Sequence, residues 1–484
     1  MKLNTIQIRD LSNAIIQKVD NAIAPKNCAV FSQNLLYNKV LGRGVVREGT
    51  DLIGSQIANG KQILGLFQFC LSSGTKYFLS VVDGAANSAL YRLITTTWTD
   101  ESVSGVKNLK HRFLTYLDTC MVLDGTNATS SADGNTWVTT GGNLDIGNCP
   151  KGKFAIEWHD KVFVAGVSGN LDRLYYSGTP TDGVLSWTVG NGYIDIEPYE
   201  GQGAITGLAK VPGYLLIFKE RALKRWNGSS TYPDDLSNIG ASSQESIVLG
   251  KKTVYFFSAS GKSSLGFYET NGQETRKISR PIQSIVEAIS SSSYASVAGY
   301  SDGEMVMWSI GDITYDGISY SNVVVMFDLD SKTWSLMSFP TEFKVFSQYI
   351  DGTTLKIAAG NDDGEIIEVF TGTKDNITGS SDISIDYALQ YYPMEFGNRG
   401  IIKEISKILP YTEDGTDCKV SVRVDNGTGF DEKGSVDNEF ESEIDIDEKF
   451  HIIEVRLSGH GSGGLTEILG FDILTPDITS SIKQ

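Results

Sequence analysis

The sequence predicts an all-β protein: a β-propeller of about seven blades, with an extended N-terminal arm and a C-terminal β-sandwich. Three observations point there. Hydrophobic hairpins between Ile63 and Gly372 repeatedly close on Thr-Trp or Ser-Trp, at Thr97-Trp98, Thr136-Trp137, Ser186-Trp187 and Thr333-Trp334. The steps from Trp98 to Trp137 to Trp187 are about 40 to 50 residues, the length of a four-stranded propeller blade. Glycine is abundant (51 residues) and proline scarce (11), as tight hairpin turns require.

Taken in order, residues 1–60 alternate briefly at Leu3, Thr5, Ile6 and Ile8 but are otherwise rich in Asn, Gln and Gly. They read as an extended arm that ends by joining the first blade. Residues 61–372 form the repeat region, with blades expected to begin near Leu64, Arg112, Phe154, Ile205, Ile247, Tyr294 and Phe343. Apolar runs there end on turn residues: Tyr77-Phe78-Leu79 before Asp83-Gly84, Val162-Phe163-Val164 before Ser168-Gly169-Asn170. A polar linker is expected at 373–384. Residues 385–475 then read as a sandwich, with strands near Tyr387 to Tyr391, Ile402 to Leu409, Cys418 to Val424, Phe450 to Leu457 and Ile468 to Leu474. Val420, Val422 and Val424, like Ile453, Val455 and Leu457, alternate with polar residues, so each strand should bury one face. Residues 476–484 read as a loose tail.

Composition narrows the function. At 484 residues, 40% hydrophobic and 21% charged, the chain resembles an ordinary globular protein with room for several cores. No apolar run reaches signal-peptide or membrane-spanning length, so no membrane insertion by the chain itself is expected. Five scattered cysteines (Cys28, Cys70, Cys120, Cys149, Cys418) form no C-x-x-C pair and suggest reduced thiols. The four histidines, His111, His159, His451 and His460, lack metal-ligand spacing. A net charge of −18 runs against a nucleic-acid-gripping role. Residues 411–450 hold 13 Asp/Glu against 4 Lys/Arg, a solvated face or one that repels DNA or meets a basic partner.

Each motif with a chemical look also has a plain structural reading. Ser131 to Trp137 resembles the Asp box of sialidases, one residue short, and such boxes are rim turns even in enzymes. Glycoside cleavage needs two carboxyls flanking the bond, and no pair stands out. Gly261-Lys262-Ser263 has the tail of a phosphate loop, but Phe256 replaces its first glycine and no helix follows. Gly459-His460-Gly461-Ser462-Gly463-Gly464 is not a nucleophile elbow and reads as a mobile loop tip. Asp425 to Glu432 is oxygen-rich but lacks calcium-loop spacing. The sequons at Asn127, Asn227, Asn376 and Asn426 carry little without a secretory signal. Catalytic, cofactor-binding and metal residues are therefore expected to be none, with no cofactor and no enzyme activity.

Three stretches resemble a known family, the propeller-bearing tail nozzle and hub (packaged-DNA stabilisation) proteins of short-tailed bacteriophages. The first is Asn34, then Leu41-Gly42-Arg43 and Arg47-Glu48-Gly49, similar to the family's Asn, spacer, Arg-x-Gly opening. The second runs from Arg173-Leu174-Tyr175-Tyr176-Ser177-Gly178 through Ser186-Trp187 and Ile194-x-Ile196 to Leu215-Leu216-Ile217-Phe218. The third is Phe396-Gly397, Ile452 to Gly459 and Ile468-Leu469-Gly470-Phe471. The resemblance implies a structural virion-tail protein, assembled in the host cytoplasm as a homo-oligomer, typically a hexameric ring. Its neighbours would be the portal, the adaptor and other tail proteins, with DNA passing transiently and non-specifically. An acidic ring suits passage of a polyanion better than a basic one. The rival expectation is a glycan-binding or glycosidase propeller of a tail spike, or another virion neck or decoration protein.

Overall fold

In the computed structural model, residues 3–17, 28–38, 42–197, 201–396, 400–413, 416–425, 427–436 and 443–476 are described. The protein is all-β, built of many small antiparallel sheets. Among the described residues the one α-helix is the six-residue Gln283–Ala288.

Seven sheets follow one another along the chain, mostly four-stranded meanders. Sheet 1 comprises Ile63–Cys70, Lys76–Val82, Ser88–Ile94 and Thr97–Gly105. Sheets 2 to 6 open with Arg112–Tyr116, Phe154–Trp158, Ile205–Val211, Val248–Leu249 and Ala298–Ser301, and sheet 7 with Val345–Asp351. These starts lie close to the expected ones, the largest offset being Ala298 against Tyr294. Sheet 2 has three strands, and a single bridge from Ser130 to Val138 stands where a fourth would run. Opening strands are neighbours: Ile63–Cys70 lies beside Arg112–Tyr116 on one side and Val345–Asp351 on the other. Arg112–Tyr116 lies beside Phe154–Trp158, which lies beside Ile205–Val211. Val248–Leu249 meets Ala298–Ser301, which meets Val345–Asp351. Between sheets 4 and 5 the contact passes from Ile205–Val211 to the second strand of sheet 5, Val254–Ser258. The hydrophobic cores lie between consecutive sheets, as with Leu208, Leu215 and Ile217 against Phe163 and Leu174.

Two larger sheets pack face to face over a shared core that includes Leu35, Val46, Leu389, Val420, Ile446, Val455 and Phe471. One holds Leu35–Asn38, Arg43–Val46, Glu467–Pro476, Lys403–Glu413 and Ile444–Phe450, with Leu3–Ile8 also paired to Glu467–Pro476. The other holds Ala29–Gln33, Ile385–Tyr391, Ile453–Gly461, Thr416–Val424 and Asp431–Val436.

The expected arm at 1–60 is thus corrected. Its strands are integral to both large sheets of the same chain, and Thr50–Leu52 pairs with Ile366–Val369 of sheet 7, not with sheet 1. Two clips hold the start of the chain down. Arg9 donates to both carboxylate oxygens of Asp472 at 3.0 and 2.6 Å, and its guanidinium lies 4.2 Å from the Tyr411 ring centre. The expected linker is corrected too: Asp375–Ile377 and Ser380–Ile383 form a hairpin that extends sheet 7. It reads as polar because most of its outer face is open to water. The expected tail lies outside the described residues apart from Pro476.

The tryptophan repeat does not mark one recurrent strand position. Trp98 and Trp334 sit at or near the start of the fourth strands of sheets 1 and 6, whereas Trp137 and Trp187 lie in loops. What three of them share is a bond to an earlier stretch of chain. The indole N–H of Trp98 donates to the Ile53 carbonyl, that of Trp187 to Leu144, and that of Trp334 to Ile278, at 3.1, 3.1 and 3.3 Å.

Candidate functional site

The most tightly specified cluster is the junction where the N-terminal segment, sheets 6 and 7 and the large sheets meet. Strand Leu35–Asn38 turns back through Arg43–Val46, and the chain then enters sheet 7 at Thr50. This route carries Arg47 inward until it is 1% exposed. Its guanidinium donates to both oxygens of Asp375 (2.9 and 2.6 Å), to the Ser338 carbonyl (2.7 Å) and to the Asn34 side-chain carbonyl (3.0 Å). Thr50 adds a hydroxyl to Asp375 at 3.2 Å, and Phe339 stacks its ring 4.0 Å away. Asn34 completes the lock: its amide donates to the Asp386 carbonyl at 2.6 Å, and its side-chain oxygen accepts from the Ser338 N–H at 2.8 Å. Gly49 has no room for a side chain, because a Cβ there would run into the Lys374 carbonyl. A buried pair survives desolvation only when its remaining donors and acceptors are met, and here they are. Asn34, Arg47 and Gly49 were legible as a motif. Asp375, 328 residues from Arg47, was hidden in the expected linker, and no local pattern could have exposed it.

Where the opening strands converge lies a polar cavity of about 260 Å³. It is bridged by an ion pair between Arg112 of sheet 2 and Glu245, just before sheet 5. Gln244 accepts from the Leu208 N–H at 2.7 Å and donates to its carbonyl at 3.1 Å. Lys110 donates to the Lys344 carbonyl at 3.0 Å. Burial pushes the Lys110 ammonium down to about 8, with Glu245 pulling the other way. A space this small, crossed by a salt bridge, cannot admit a duplex.

Beside it the fold brings together Ser88, His111 and Asp124, which sequence reading missed. The trio is not a nucleophilic triad. Ser88 Oγ and Asp124 both face the same ring nitrogen, Nε2, at 3.2 and 3.7 Å, while Nδ1 is taken by the Leu109 carbonyl at 2.9 Å. A triad needs the carboxylate on the opposite nitrogen from the hydroxyl. Asp124 is further occupied by the amides of Val106, Thr126 and Asn127. The space beside these groups is about 20 Å³, enough for one water.

The motifs singled out in the sequence resolve into turns. Asp133 accepts from the amides of Asn135 (2.9 Å) and Thr136 (2.6 Å) and from the Ser131 hydroxyl. Burial opposes its charge, but the Thr136 and Asn135 amides outweigh it and hold the carboxyl at about 2. Asp302, Asp328, Asn227 and Asn271 cap other hairpin turns through the same two-amide grip. Lys262–Ser264 is a single 3₁₀ turn between Val254–Ser258 and Gly266–Thr270. His460 lies on strand Ile453–Gly461 and pairs with Asp386, while Ser462 closes a tight turn onto Thr466. Gly459 to Gly461 thus end a strand, and Ser462 to Gly464 lie in the turn that leads to Glu467–Pro476. Asp425 turns to the amides of His451 and Ile452 at 2.7 and 3.0 Å, facing its own backbone. Asn426 lies outside the described residues. Cysteine thiols follow burial: Cys28 is pushed up to about 12, and Cys120 and Cys149 are raised as well, the opposite of an activated nucleophile.

No family model matches this chain, and no curated protein matches it in sequence. Among solved structures, it is similar to a chain named as the extracellular domain of the hybrid two component system BT4673 of B. thetaiotaomicron, at 11% identity and a TM-score of 0.43, covering 71% of this chain and 44% of that one. A second structure, named as the same extracellular domain in a one component system, gives 10% identity and a TM-score of 0.40, covering 89% and 60%. A chain from a S. cerevisiae Dbp5 assembly with Nup159, Gle1, IP6 and ADP gives 10% and 0.37, covering 67% and 95%. This chain therefore spans less than two thirds of the first two.

Proposed function

We propose that the protein is a non-enzymatic structural component of a short-tailed bacteriophage virion: a nozzle- or hub-like subunit whose copies form a ring around the DNA exit channel below the portal and adaptor. In this reading the seven sheets are blades of a β-propeller, supported by the chain of neighbouring opening strands, and the two large sheets are a β-sandwich. The observation that carries the functional reading is the junction. Asn34, Arg47 and Gly49, through which the chain resembles that family, interlock the propeller with the sandwich. A rigid coupling of two modules suits a part that bears load. The axial cavity, bridged by Arg112 and Glu245, is no conduit, so DNA passes through a channel bounded by several copies. The carboxylates found in hairpin turns are engaged by backbone amides, which leaves them unsuited to acid–base work.

The test is native mass spectrometry with electron microscopy of the purified full-length chain. Closed rings, six copies in the simplest case, are expected, with no oligosaccharide turnover. The spike reading rests on Tyr193, 54% exposed, with the Arg173 guanidinium 3.8 Å above its ring and Asp195 beside it. Trimers that bind sugar, lost in Tyr193→Ala, would favour that reading instead.

A further inference from the structure

A cleft of about 510 Å³ opens between sheet 6, the end of sheet 7 and the N-terminal strands of the large sheets. Its wall is apolar and half-buried at Leu36, Met305 and Phe370. Four carboxylates stand around it: Glu48, Asp302, Glu304 and Asp328. Asp302 and Asp328 each use one oxygen to cap a turn. Among the described residues the side chains of Glu48 and Glu304 make no hydrogen bond, and none of the four carboxylates forms an ion pair. The strand carrying Leu36, Leu35–Asn38, is the end strand of its sheet and, among the described residues, is paired on one side only.

Uncompensated negative charge around an apolar floor is costly for the free protein, because like charges repel and the wall stays wet. Both costs fall when a segment arrives with apolar side chains for the wall and cations for the rim. A single-sided strand at the wall favours an extended backbone. We propose that this cleft docks an extended segment of a partner protein in which Lys or Arg alternates with aliphatic residues. The proposal stands apart from the tail reading, since it needs only the charge and shape of the cleft.

The experiment uses the full chain and a fluorescein-labelled peptide, Lys-Val-Lys-Leu-Lys-Val-Lys, followed by fluorescence anisotropy at physiological salt. The same peptide with Ser for Val and Leu serves as a charge control. Wild type should bind the aliphatic peptide and bind the Ser version far more weakly. The double variant Glu48→Gln/Glu304→Gln, which disturbs no turn cap, should lose affinity roughly tenfold. Its unchanged thermal unfolding would show that the fold is intact. Absence of binding to wild type overturns the proposal. So does equal affinity in the double variant, which would place the peptide on another acidic face such as 411–450. Equal binding of the Ser peptide would reduce the effect to charge alone and overturn it. A change of copy number in the double variant would make the cleft an interface between copies and overturn it equally.

Discussion

Removing either charge of the Arg47–Asp375 pair strands the other in a dry site with its hydrogen bonds broken. Asp375→Ala should therefore cost about 3–5 kcal/mol, read from denaturant unfolding followed by tryptophan fluorescence. Replacing both charges with apolar residues, Arg47→Met with Asp375→Leu, should recover much of that loss, since the penalty lies in the orphaned charge. His111 gives a pH signature. Burial holds its imidazole below the ordinary 6.5, with Asp124 and Asp83 opposing and Arg112 assisting. The folded state then binds fewer protons than the unfolded one below that value. Stability from this group is intact above about 6.5 and drains away as pH falls toward the depressed folded value. The His111→Gln variant should flatten that part of the stability–pH curve; an identical slope in both proteins would remove His111 as the cause.

Among elements, the buried tryptophans act as staples between consecutive sheets. Trp308 stacks near Phe267 and Trp334, and its indole donates to the Ser246 carbonyl at 3.0 Å. Trp308→Ala should cost about 3–5 kcal/mol, and Trp137→Ala, half-exposed in a loop, clearly less; thermal unfolding of the two variants side by side checks the ranking. Much of the strand pattern was legible, because apolar runs bounded by Gly, Asp and Asn turns are local signals. Leu215 to Phe218 and Val254 to Phe257 are examples. Among the C-terminal strands of the large sheets, two were missed. Asp431–Val436 and Ile444–Phe450 are charge-rich, and the alternation of buried Ile444, Ile446 and Phe450 with exposed Asp445 and Asp447 was read as an acidic stretch. The period was present, but charge density obscured it.

At the scale of the whole molecule, the N-terminal segment decides how the parts hold together. Its strands look like an arm because Asn4, Thr5 and Gln7 dilute the apolar pattern, while their partners lie at the far end of the chain. Pairing over such distances leaves no local trace, so the sequence alone pointed to an extended arm. Deleting residues 1–60 should instead open both large sheets and take Thr50–Leu52 from sheet 7. The expected outcome is loss of soluble protein, or of a cooperative calorimetric transition; a folded deletion variant altered only in copy number would restore the arm. At the cleft, the acidic residues were visible singly. Their convergence with Leu36 and Phe370 was not, because it depends on how the sheets are stacked.

The pairing of Leu3–Ile8 with Glu467–Pro476 also fixes a timetable. On the ribosome Leu3–Ile8 emerges with no partner and must wait until Glu467–Pro476 has been translated. Products of premature termination would leave those edges bare and prone to stick or to be degraded. Only polypeptides that reach Pro476 can shut the sheet that carries Leu3–Ile8, so this seam is among the last parts of the fold to close.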